Sequence, residues 1–200
     1  MARVGILLSG AGTTYANLVR AISDGALDAE IAVVVASRPG VGGLGLAAEF
    51  GHPAVVAHSP DDVTAALRAH RAEWVAMCGW LRHWDPPGEF AGRTVNVHPS
   101  LLPAFGGKGM YGTKVHEAVI AASAPISGCT VHLVTSDYDG GPILAQRAVA
   151  VEPGDDAARL QGRVQACERD LYPRVLAALC AGKLRERGTA RWLAGWADAR

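Results

Sequence analysis

The chain has 200 residues, half of them hydrophobic and 19% charged, enough for one packed domain and unlike a disordered composition. Lys plus Arg and Asp plus Glu both number 19, so the formal net charge is zero, and no basic run marks a nucleic-acid face. No apolar stretch has the length of a membrane span, and the short apolar start passes into a glycine turn rather than a signal-peptide cleavage site. Cys78, Cys129, Cys167 and Cys180 lack CxxC or metal-ligand spacing and read as buried thiols. A cytoplasmic protein is expected, monomer or homodimer, without metal, membrane or nucleic-acid partner.

Short apolar runs alternate with helical patterns. Val4 to Leu8 reads as a strand buried on both faces, and Thr13 to Asp24 as a helix that stops at Gly25. Ile31 to Ala36 is a second buried strand, followed by a glycine-rich turn over Arg38 to Gly45 and a short helix. Ala54 to Ala57 is a third strand, and Ser59-Pro60-Asp61-Asp62 opens a helix with Ser at the N-cap and Pro at the first position. Trp74 to Cys78 and Thr94 to Val97 add two strands, so βαβ units and a parallel sheet are expected. Beyond a helix at Val115 to Ala122, strands at Cys129 to Val134 and Ile143 to Val151 read as an antiparallel pair. A helix from near Asp155 reaches Cys180 with a bend at Pro173, and a last strand carrying Trp192 and Trp196 is expected in the tail. The fold class is α/β, a single domain with a mostly parallel Rossmann-like sheet, an antiparallel C-terminal hairpin and flanking helices. Residues 1–184 form the catalytic domain and 185–200 a tail packed on it or partly disordered.

Two segments carry chemistry. Ser9-Gly10-Ala11-Gly12-Thr13-Thr14 links the first strand to a helix, where backbone N–H groups and the helix dipole favour an anion. Tyr15 stands where a dinucleotide fingerprint needs its third glycine, and no Walker lysine follows, so a single phosphate suits the turn better than a pyrophosphate; a plain βα turn is the alternative. In Thr94-Val95-Asn96-Val97-His98-Pro99, Asn96 and His98 point to one side of a strand, at the carboxyl end where open α/β sheets bind ligands. Pro99 keeps His98 extended and aims its ring.

The run Asn96-Val97-His98-Pro99-Ser100-Leu101-Leu102-Pro103, followed some forty residues on by Asp139-Gly140-Gly141-Pro142, resembles the formyltransferase family that uses 10-formyltetrahydrofolate. The resemblance runs from Val4 to about Leu184 and takes in Gly79-Trp80-Leu81-Arg82 and Gly128-Cys129-Thr130-Val131-His132. It implies direct transfer of a formyl group from the folate co-substrate to the amine of glycinamide ribonucleotide. Asn96 and protonated His98 would stabilise the oxyanion, and Asp139 would pair with His98, raise its pKa and help remove the amine proton. Thr130, His132 and Pro99 would support them. The nucleotide phosphate would sit on Gly10, Ala11, Gly12, Thr13 and Thr14, the last standing where the family has asparagine, with Glu168 and Gln165 at the ribose. The folate would lie across Trp80, Leu81, Arg82, His83, Trp84, Val134, Ser136, Tyr138 and Gly140, Arg82 meeting its glutamate carboxylates. The glycine-rich loop from Ala104 to Gly112 is a candidate mobile cover, with Lys108 as a contact for an anionic ligand.

Rival readings keep the fold and change the reaction. A tRNA formyltransferase would need a further basic domain after Lys183, and a formyltetrahydrofolate hydrolase an added N-terminal domain. An amino sugar nucleotide as acceptor stays open. A non-catalytic nucleotide or folate sensor would not need Asn96, His98 and Asp139 together.

Overall fold

A computed structural model describes residues 1–187 and 190–194. The expected elements are present. Strands β1 (Ala2–Leu8), β2 (Ala29–Ala36), β3 (Ala54–Val56), β4 (Trp74–Met77) and β5 (Thr94–His98) are separated by α1 (Thr13–Ser23), α2 (Gly42–Glu49), α3 (Pro60–Ala69) and a long loop. Helix α4 (Thr113–Ala121), β6 (Ile126–Leu133), β7 (Ile143–Ala150), α5 (Ala157–Cys180), β8 (Leu184–Arg187) and β9 (Ala190–Leu193) follow. Seven strands form one sheet in the order β3-β2-β1-β4-β5-β6-β7, parallel through β5 and antiparallel at β6 and β7. The central strands carry unbroken apolar runs because helices cover both faces.

The order reverses between β1 and β4, so the loops after those strands leave a crevice at the carboxyl edge of the sheet. Beside it, β5 and β6 pair with Asn96 opposite His132 and His98 opposite Thr130. The register alone thus brings four polar side chains of the sequence motifs together.

Two local features set the packing around the crevice. Helix α2 begins at Gly42, inside the stretch read as a turn. A Cβ at Gly43 would lie 2.5 Å from a Leu8 methyl, and one at Gly12 would lie 2.8 Å from the Gly43 Cα. Glycine is poor for helix propensity, but here it lets α2 close against the first turn. Helix α5 runs unbroken through Pro173. Proline removes the N–H that would reach the Arg169 carbonyl, and the Asn17 amide of α1 donates to that oxygen instead at 2.8 Å. The buried Tyr172 hydroxyl, 3.1 Å from the carbonyls of both Met77 and Val95, fastens the helix to the ends of β4 and β5.

At the tail the expected single strand is a β8–β9 hairpin, with Leu193 buried in the main core. The Trp192 side chain and Trp196 lie outside the described residues. Among those described, no helix is long and apolar enough to cross a membrane. The four cysteines are free thiols.

Candidate active site

At the first turn, Gly12 caps α1 with φ 82° and no side chain occupies the cap, so the first N–H groups of the helix lack internal partners. That is an anion site in form, since the helix dipole adds to the open donors. Thr13 and Thr14 line a groove of about 150 Å³ together with Asn17, Gln165, Glu168 and Arg169. Gly10 and Ala11 line neither this groove nor the main cavity. The Gly10 carbonyl accepts from Gly43 N–H at 3.1 Å, so these residues shape the turn.

Thr14, Gln165 and Glu168 also line a cavity of about 500 Å³ that opens toward Asn96, Pro99 and Asp139. Burial pushes the Glu168 carboxyl up to about 7, with the neighbouring Cys167 adding to the rise. At neutral pH it is poised between acceptor-only and donor forms.

The centre is Asp139. Its φ of 54° is left-handed, and the loop behind it is clamped: a Cβ at Gly141 would fall 1.8 Å from the Leu133 carbonyl oxygen. One carboxylate oxygen lies 3.3 Å from His98 Nδ1 and accepts the Gly107 N–H at 2.9 Å, while the other lies 3.5 Å from His132 Nε2. Burial alone would raise its pKa, but His132, His98 and the Gly107 N–H outweigh that and hold the carboxyl below the usual range.

His132 has Nδ1 3.0 Å from the Leu133 carbonyl, which requires that nitrogen to donate. Its Nε2 lies between Asn96 Nδ2 at 3.3 Å and the Asp139 carboxylate at 3.5 Å, so it orients the Asn96 amide and leaves an amide hydrogen for a ligand. Thr130 braces the turn after His98. Its hydroxyl donates to the Ser100 carbonyl at 2.6 Å and accepts from the Leu102 N–H at 3.0 Å. The Leu102–Pro103 bond is cis.

His98 departs from expectation in two respects. It is 3% exposed and does not line the cavity; its Nε2 donates to the Phe105 carbonyl at 2.9 Å. Its pKa is lowered, not raised: burial outweighs the upward pull of Asp139 and of the Phe105 carbonyl. At neutral pH the ring is therefore uncharged, with a bare Nδ1 facing the Asp139 carboxylate. Both groups hold a proton less readily than they would in water, across a gap of 3.3 Å.

A second recess of about 80 Å³ is lined by Trp80, Arg82, His83, Trp84, Val134, Ser136 and Tyr138. Asn96 and Asp139 belong to the walls of both hollows. Trp80 Nε1 is buried without a partner, a donor suited to a ligand acceptor. His83 reaches the Ser136 carbonyl at 3.0 Å and packs on Tyr138 with centroids 5.4 Å apart. Leu81 borders the larger cavity, and Gly140 neither. Arg82 donates to the Ala57 and His58 carbonyls at 3.0 and 3.2 Å, which ties it to the scaffold. Trp84 is 3% exposed and donates to Thr64, chiefly a core residue.

Several groups of the candidate site were not anticipated. Gln161 and His116 line the main cavity, and the Gly107 N–H and Phe105 carbonyl clamp the centre. A single histidine in an amphipathic helix, or a loop carbonyl, leaves no pattern in sequence. Lys108 does line the cavity, at the edge formed by the glycine-rich loop.

Comparison with known proteins agrees with this geometry. A chloroplastic phosphoribosylglycinamide formyltransferase of Arabidopsis thaliana is 34% identical, covering 92% of this chain and 68% of the relative. That of Vigna unguiculata is 38% identical, covering 91% of this chain and 62% of the relative, so the chain spans about two thirds of these plant proteins. The crystal structure of glycinamide ribonucleotide transformylase 1 from Symbiobacterium toebii superposes with a TM-score of 0.87 at 32% identity, covering 96% of this chain and 94% of that one. The formyl transferase family model matches residues 2–176, from β1 through most of α5 and thus across every residue of the two hollows, and the chain belongs to that family.

Proposed function

We propose that the chain transfers the formyl group of 10-formyltetrahydrofolate to the amine of glycinamide ribonucleotide, a step of purine biosynthesis. The observation that carries this reading is the place of Asn96 and Asp139 on the common wall of two hollows. A bimolecular transfer needs such a junction, because the acceptor amine and the donor carbonyl must meet with little freedom. The names of the relatives supply the acceptor. The larger cavity joins the phosphate turn to Glu168 and so suits the ribonucleotide; the recess of Trp80, Val134 and Ser136 suits the pterin.

The amine attacks the formyl carbon, building negative charge on oxygen and positive charge on nitrogen. Asn96, its amide orientation set by His132, donates its remaining N–H to that oxygen. The ammonium proton passes to the His98–Asp139 pair, directly or through water, with His98 Nδ1 and Asp139 Oδ2 sharing it. That proton then goes to the folate nitrogen as the carbon–nitrogen bond to the donor breaks. For His98 itself to meet the oxyanion, Nε2 would have to release the Phe105 carbonyl. We retain that role as coupled to movement of the loop from Ala104 to Gly112 when substrate enters.

The free thiols agree with a reducing compartment, and we propose the cytoplasm; the two plant relatives are named chloroplastic. The test mixes purified protein with 10-formyltetrahydrofolate, with and without glycinamide ribonucleotide, and follows deformylation by absorbance. Rapid deformylation only with the ribonucleotide is expected. Deformylation without it would mean a hydrolase, and none in either mixture would sink the reading.

A further inference from the structure

Helix α4 carries one side chain for which the described residues supply no partner. His116 sits in its first turn, 1% exposed, and its Nδ1 is buried without a hydrogen bond. An unpaired buried polar atom destabilises a fold, so it persists mainly where something outside the protein completes it. The ring forms part of the wall of the larger cavity, along with Thr14, Asn96, Gln165 and Glu168, and takes no part in the recess behind Trp80. Burial, and then the nearby His98, holds its pKa below the ordinary value. At neutral pH the ring therefore offers one donor and one acceptor nitrogen.

We propose that His116 is a binding residue for the acceptor substrate, hydrogen-bonded to the amide that links the ribose to the reacting amine. This rests on the ribonucleotide reading above. With the ribose at Glu168 and the amine at Asn96 and Asp139, the amide is the polar group that must lie between them in the same cavity. An amide N–H or carbonyl matches a neutral imidazole in either tautomer. A histidine serving only the fold would show the reverse features: both nitrogens satisfied by the protein and no face on the cavity.

The test compares wild-type protein with H116F and H116N, measuring KM for each substrate and the Tm of the ligand-free protein. H116F is expected to raise the KM for glycinamide ribonucleotide roughly 10- to 100-fold, the loss of one well-placed hydrogen bond. The KM for the formyl-folate should stay within about threefold, and the Tm should hold or rise by a few degrees because the unpaired atom is gone. H116N, which keeps a donor and an acceptor, should recover part of the binding. An unchanged ribonucleotide KM in H116F, a rise confined to the formyl-folate, or a Tm drop of several degrees with both KM values unmoved would each overturn the proposal. The wild-type arm separately decides whether the ribonucleotide is the acceptor at all.

Discussion

His98 and Asp139 face each other across 3.3 Å, Nδ1 to Oδ2, while the other nitrogen of His98 is committed to the Phe105 carbonyl. The pair lies apart from the first turn, where the phosphate is proposed to sit. His98→Gln and Asp139→Asn should each lower kcat by about 10²- to 10⁴-fold, the usual worth of a positioned acid or base. Ribonucleotide Kd, measured by calorimetry, should stay within about threefold. Near-normal turnover in either variant would rule out the proposed proton path.

In the proposed reaction Asn96 acts on the oxygen rather than the proton, so its removal should have a different signature. Asn96→Ala should lower kcat by about 10²- to 10³-fold with little change in the pH at which turnover rises. His132→Phe should reproduce part of that loss, because the amide would then turn freely. A pH–rate profile of both variants distinguishes them from Asp139→Asn; a shifted profile in Asn96→Ala would assign it the wrong role.

Acid sensitivity follows from three imidazoles that burial, nearly complete at His98 and His116 and partial at His52, keeps uncharged. His52, His98 and His116 all have lowered pKa values, chiefly through burial. Below the ordinary 6.5 the unfolded chain takes up protons that the folded chain refuses, so stability present above that pH is lost as it falls. Each group contributes at most about 1.4 kcal/mol per pH unit. Glu168, raised to about 7, acts oppositely and gains stability on acidification, but it is one group against three. Thermal melts from pH 8 to 5 should therefore show Tm falling below about pH 6. A Tm that rises steadily to pH 5 would contradict the buried, neutral state of these rings.

Much of this was legible in the sequence because single local rules decide it. Unbroken apolar runs such as Val4 to Leu8 announce strands covered on both faces, and Ser59 caps α3 with Pro60 at its first position, as their order implies. Asn96 and His98, two apart on a strand, share one face of it, although only Asn96 reaches the cavity. What escaped depends on contacts between distant segments. The glycines of α2 look like a turn until Leu8 and Ala11 are seen against them. Arg82, read as a ligand for carboxylates, also donates one nitrogen to two carbonyls just after β3, a contact that no spacing shows. Burial, likewise, reverses the direction in which Asp139 alone would move the pKa of His98.

The link from Asn17 to the Arg169 carbonyl is one such distant contact, and it has its own consequence. It joins α1, whose first turn is the proposed phosphate site, to α5, which presents Gln165 one turn before Arg169 and Glu168 beside it. The bond is solvent-exposed, so water can take the place of the amide, and Asn17→Ala should cost only about 0.5–1.5 kcal/mol. Its effect on the ribonucleotide KM should be larger in proportion, several-fold, because the two walls of the groove lose their tie. Equal KM values in the two proteins, with Tm lowered, would reduce Asn17 to a structural role.

Glu168 offers the sharpest opposition of stability and function. Holding its carboxylate ionised in the folded state, with a pKa near 7 against an ordinary 4.5, costs up to about 3 kcal/mol above pH 7. The sign is that of a raised acid: the penalty is absent below pH 4.5 and complete once pH exceeds 7. Glu168→Gln removes it, so the variant should melt roughly 5 °C higher than wild type at pH 8 and lose most of that advantage by pH 5. The same change replaces a charged acceptor by a neutral amide at the proposed ribose site, and ribonucleotide Kd at pH 8 should weaken about tenfold. Melts at both pH values and titration calorimetry at pH 8 test the two halves separately. A variant that is less stable at pH 8 would refute the burial of the charge, and one that binds unchanged would remove Glu168 from the ribose site.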